Sequence, residues 1–174
     1  LGWTAFDVGD GETAQQHAAE SLVGLRQASD PLRAGQAEYL LGRVAQARGD
    51  SAAAAAQFSA ALELWRSAHQ AGHITLGISA LAHACAEQGQ TAAAYPLLEE
   101  ALAALEREPL PNGVVRPLRA HLHSYRALCA LGDPRAAEVL ARARALLQTQ
   151  AARLPKAQAA AFLQEIPEHR ALHH

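Results

Sequence analysis

"AEYLLGRVAQARGDSAAAAAQFSAALELW", residues 37–65, holds five consecutive alanines, Ala52 to Ala56, and its reading decides the fold. Alanine is the best helix former but adds little apolar surface to a core. Such a run is either filler, or it marks a helix that neighbours approach too closely for larger side chains. Ahead of it, Leu40, Leu41, Val44 and Ala45 form an apolar stripe at helical spacing. Gly49 ends that helix, because glycine adopts the left-handed C-terminal cap at little cost. Asp50 is placed to N-cap the next one, its carboxylate accepting from free backbone N–H groups. The stretch predicts two antiparallel helices joined by a tight turn.

Shifted by 40 residues, the sequence falls onto itself. Leu1, Leu41 and Leu81 coincide, as do Gly9, Gly49 and Gly89, then Ala14, Ala54 and Ala94. Leu22, Leu62 and Leu102 follow, then Leu25, Trp65 and Leu105. The last full unit, "LCALGDPRAAEVLARARALL" (128–147), repeats the Gly-Asp turn and adds Pro134 at the expected first helical position. A fixed period of this length marks stacked repeats, each too small to bury its apolar face alone. The units run over about 1–30, 31–70, 71–108 and 114–153. "EREPLPNGVVRP" (106–117) between the third and fourth cannot be helical, because its prolines remove donors and restrict the residues before them. Pro155 opens a last helix, and 155–172 is expected to cap the stack through Ala159, Phe162, Leu163 and Ile166.

The small and large positions carried by Leu41, Gly42, Gly49, Ala54, Phe58 and Ala61, and again by Leu81, Ala82, Gly89, Ala94, Leu98 and Ala101, resemble the tetratricopeptide repeat. That resemblance covers about residues 1–150. It departs in its longer period and in lacking the closing proline after Leu64 and Leu105. Longer units of this kind are similar to those in the C-terminal regions of large bacterial ATP-binding and transcriptional regulators. The resemblance implies an all-α right-handed superhelix of antiparallel helix hairpins. Its short first unit reads as part of a longer protein.

Composition narrows the function. The net charge of −2 supplies no basic face for nucleic acid. No apolar span approaches the roughly 20 residues of a membrane helix. Two cysteines make no disulfide framework and fit a reducing, cytoplasmic setting. Nine histidines raise the question of a metal. His121 and His123 stand two residues apart, about 200° around a helix, and His69 and His73 are expected to be separated by a helix end at Gly72. His17 and Glu20 share a face, an unspecific pair. Solvated surface histidines are the expectation, with no metal and no cofactor. Cys85 falls at the core position of Ala5 and Ala45 and reads as a small buried hydrophobe, with Cys129 similar. "GDGET" (9–13) lacks the strand and Gly-Lys-Ser/Thr ending of a phosphate loop. No catalytic residue is assigned.

In the resembling family the first helix of each unit lines a concave, peptide-binding face. The matching register assigns Gln36, Tyr39, Arg43, Gln46, Ser79, His83, Glu87, Arg119, Leu122 and Arg126 to that lining. Arg43, His83 and Arg126 would form a basic line for an acidic segment. Three roles stay open: an interaction module or scaffold in a larger regulator, an effector sensor holding a peptide or small anion, and a structural spacer or self-association segment. Partners are then a protein, a peptide or other domains of the parent protein, with neither nucleic acid nor membrane.

Overall fold

The computed structural model describes residues 1–173, the Ala157 side chain excepted. It is all-helical, with no strand among the described residues. The helices are α1 (Gly2–Asp7), α2 (Gly11–Gln27), α3 (Pro31–Ala47), α4 (Ser51–Ser67), α5 (Ala71–Glu87), α6 (Thr91–Arg107), α7 (Leu118–Leu131), α8 (Ala136–Ala151), α9 (Lys156–Gln164) and α10 (Pro167–His173). Successive helices pack on one another, and α5 also lies along α7. No helix is long and apolar enough to cross a membrane.

From α2 to α6 each helix has 17 residues, and starts fall 20 residues apart at 11, 31, 51, 71 and 91. The turn between units therefore copies the turn within them. At both, the second residue past the helix is left-handed and the third returns its N–H to a carbonyl of the last turn: Asp30 to Leu25, Asp50 to Ala45, Gln70 to Trp65. Gly9, Gly49 and Gly89 take the left-handed position within units, while Ser29 and His69 take it between them. His69 thus ends α4, and Gly72 lies inside α5 instead of closing a helix as expected. Asp10, Asp30 and Asp50 each accept the backbone N–H three residues on, as 3.0, 3.0 and 2.9 Å hydrogen bonds. Pro134 precedes α8 instead of opening it, because Asp133 binds the Arg135 backbone N–H and guanidinium and holds a turn there.

The alanine run divides by position. Ala54 and Ala61 are wholly buried, while Ala52 and Ala56 are exposed. The buried pair sits where α3 and α4 cross, with Phe58 beside them against Gly42. A Cβ on Gly42 would stand 2.5 Å from the Phe58 ring, and one on Gly35 would stand 2.5 Å from the Trp65 indole. Gly42→Leu is expected to cost about 1–3 kcal/mol through overpacking. Ala53→Leu, on the half-buried side of α4, is expected to stay within about 0.5 kcal/mol. Thermal melts of the two variants decide; equal losses would mean that α3 and α4 do not meet through these small residues.

The 108–117 segment is irregular, as the prolines require, and its Pro111 is buried. Cys85 is buried but Cys129 is exposed, a correction: Cys129 falls on the outer side of the last turn of α7. The chain past Pro155 makes two short helices instead of one. Leu172 of α10 is fully buried against Leu118, Leu122, Ala143 and Leu147, and the expected Phe162 and Leu163 pack around that cluster.

Candidate functional site

The inner faces of α1, α3, α5 and α7 converge so closely that side chains of the first and fourth units touch. Arg116 binds both carboxylate oxygens of Asp7, and its Nη1 lies 3.4 Å from Glu168 of α10. Arg119 reaches Glu168 at 3.0 Å through Nε and Asp7 at 3.8 Å, with its guanidinium 4.5 Å above the Trp3 ring. Two cations of the fourth unit and one acid from near each end of the chain thus form one clasp. The concave face expected from the repeats is filled along its middle by its own residues.

Beneath the clasp Tyr39 is buried among Trp3, Phe58 and Trp65, at ring-centroid distances of 5.8, 5.3 and 5.8 Å. Its hydroxyl meets His123 Nε2 at 2.9 Å, and His123 Nδ1 lies 3.2 Å from His83 Nδ1. The Gln46 amide nitrogen is 2.9 Å from that same His83 Nδ1 and 3.0 Å from Glu87 Oε2. The Gln46 amide donates to Glu87 Oε2, while Gln46 Nε2 and His123 Nδ1 both approach the single lone pair that a neutral His83 Nδ1 can offer. His83 Nε2–H faces Glu87 Oε1 at 3.4 Å. Burial lowers the His83 pKa to about 4, against the opposing pull of Glu87, and burial likewise holds His123 well below its ordinary value.

Of the ten expected lining residues, Gln46, Arg43, His83, Glu87 and Arg126 surround one hollow of about 280 Å³ together with Phe6 and Ala47. Gln36, Tyr39 and Arg119 border a second, of about 240 Å³. Ser79 and Leu122 border neither. Ser79 is buried and returns its hydroxyl to the Thr75 carbonyl, while Leu122 joins the core between α7, α8 and α10. A helical stripe alternates steps of three and four residues, and the structure takes the step that puts Leu76, Ala80, His83 and His123 inward. The expected surface histidines are also corrected: His73, His83, His121, His123 and His169 are all buried. The His121 ring bonds the Pro109 carbonyl and the His169 ring the Phe162 carbonyl. No group of three or more His, Cys, Asp or Glu side chains among the described residues could hold a metal ion.

In the first hollow the expected basic line is reduced to two members, since His83 is neutral and 4 % exposed. Arg43 lies over the Phe6 ring at 5.2 Å, and Arg126 stands exposed on α7. Neither makes a hydrogen bond or ion pair with a described residue. Partial loss of water at the hollow wall, then the Arg43 charge, holds the Arg126 guanidinium below its ordinary value although its side chain still reaches solvent, with Glu87 opposing. Two guanidiniums from helices far apart in sequence therefore share an opening with one carboxylate, a local excess of positive charge. Sequence reasoning missed His123 and the Asp7, Arg116 and Glu168 clasp. The 40-residue spacing of His83 and His123 was the available signal for the former. Comparison of the chain with protein-family models, curated proteins and solved structures finds no match.

Proposed function

We propose that this chain is a tetratricopeptide-like interaction module of a larger bacterial regulator, and that it takes an acidic segment of a partner protein at the Arg43–Arg126 hollow. The observation that carries this reading is the meeting of Arg43 of α3 and Arg126 of α7 with only one carboxylate, Glu87, beside them in a hollow of about 280 Å³. An acidic side chain there would gain two cationic partners without displacing an existing pair. Each exposed pair contributes only about 0–1 kcal/mol, so a segment carrying several carboxylates is favoured over a single one.

The test is fluorescence anisotropy of a labelled glutamate-rich peptide. Binding at low salt is expected to weaken as salt rises, because screening acts over about 8–10 Å. Arg43→Ala or Arg126→Ala alone should weaken it slightly, and the Arg43→Glu, Arg126→Glu pair should abolish it while circular dichroism stays unchanged. Acidification to pH 6 should not strengthen binding, since His83 stays neutral until about pH 4. Equal binding by wild type and the double variant, or none by either, would put the spacer reading ahead.

A further inference from the structure

We propose that the second hollow is a binding site for a small, planar, uncharged aromatic or heteroaromatic molecule of one or two fused rings. It is independent of the acidic-segment site. Its walls are Trp3, Tyr39, Trp65, His73 and Leu76, closed on one side by Val114, Val115, Arg116 and Arg119. The Trp65 and His73 rings are 5.0 Å apart at their centroids, and Trp3 and Tyr39 are 5.8 Å apart. Both pairs are in ring contact, and an open volume of about 240 Å³ lies beside them. A cavity of about 150 Å³ lined by apolar side chains admits benzene, so this one suits a bicyclic ring. It falls below the roughly 300–1,000 Å³ of sites for larger ligands, which excludes a dinucleotide.

The charges around it select against ions. Asp7 and Glu168 already pair with Arg116 and Arg119, so a ligand anion would have to displace a carboxylate. A ligand cation would meet the two guanidiniums, one of which already occupies the face of Trp3. An uncharged ring pays neither cost and gains apolar contact with Trp3, Val114 and Val115, the lining side chains that keep accessible surface.

The polar groups of the wall are incompletely used. His73 is 5 % exposed, and its Nδ1 is buried without a hydrogen-bond partner. A buried polar atom left unpaired is destabilising, and such exceptions call for a cause. Gln36 offers its amide nitrogen to His73 Nε2 at 3.3 Å, and its amide oxygen bonds no described residue. A ring with one N–H or O–H has that oxygen as its acceptor. The wall also coincides with the interruption of the repeat. Val114 and Val115 come from the irregular 108–117 segment, and Val115 is 90 % exposed at the rim.

The chain contains two tryptophans, Trp3 and Trp65, and both line the cavity, so its occupancy is read directly from tryptophan emission. The probe is indazole, a neutral bicyclic ring with one N–H. A saturable change in emission is expected with indazole and none with tetramethylammonium or benzoate. Val114→Phe, which fills the space, should weaken indazole about tenfold or more, and Gln36→Leu, which keeps the shape but removes the amide, should weaken it several-fold. Saturation-transfer NMR on indazole gives a second readout, and circular dichroism establishes that each variant is folded. No saturable change in folded wild type, saturation by either ion, or equal indazole affinity in whichever of the two variants folds would overturn the proposal.

Discussion

Arg119→Met is expected to destabilise the fold by about 3–5 kcal/mol, the range for removing one member of a buried ion pair. Arg119 is 5 % exposed and Glu168 4 %, and their Nε to Oε1 distance is 3.0 Å. Methionine keeps the length and apolar stem but leaves Glu168 with one distant guanidinium contact, 3.4 Å from Arg116. That remaining contact puts the expectation toward the lower end. The guanidinium over Trp3 is lost as well. Urea titration of Arg119→Met against the Arg119→Met, Glu168→Leu pair separates the causes. If the uncompensated carboxylate is responsible, the second change should recover most of the loss, since replacing both partners by apolar groups is often near neutral. Wild-type stability in the single variant would mean that the clasp does not hold the ends of the array together.

Acidification is expected to produce the second large effect. In the unfolded chain His83 takes a proton near its ordinary value of 6.5, whereas in the fold it does so only at about 4. Between those values the unfolded chain binds more protons, so stability is intact above about pH 6.5 and falls as pH drops toward 4. His83 alone accounts for roughly 3 kcal/mol of this loss. His123, His73 and His121, lowered by burial, act in the same direction. Around His83 and His123, Glu87 opposes the effect, while Arg43, Arg119 and Arg126 reinforce it. The part of the window above about pH 5.5 lies clear of the ordinary carboxylate range, so the slope there reports on imidazoles. Urea midpoints measured from neutrality down to about pH 4 should fall steadily, and His123→Gln should flatten the curve. Stability that is level across the window would mean that the histidines charge freely in the fold.

Local geometry was legible in the sequence, and the interior of the array was not. Gly49 and Asp50 announced a turn, and α3 with α4 repeats as α5 with α6 at the expected 40 residues. The small residues Gly42, Ala54 and Ala61 stand at the crossing assigned to them. The turns at Ser29 and His69 went unread because no glycine marks them, although the backbone there is the same. The candidate site was half-visible for a different reason. A pattern of period 3.6 shows which side of a helix faces inward, but the contact between Asp7 and Arg116 depends on rotations accumulated over three successive units. A small angle per unit decides whether Tyr39 and His123 face water or one another. Buried histidines followed from that closure, and their polarity alone pointed to the surface.

The clasp also changes how the chain would bear tension. In an open stack each unit touches only its neighbours, and a pull along it lengthens every interface a little, as in a coil spring. Here Asp7, near one end, and Glu168, near the other, are gripped by the same two guanidiniums. Force applied between those points bypasses the units and loads the four side chains first. Extension therefore begins with an abrupt rupture, and elastic give follows only after the clasp has parted.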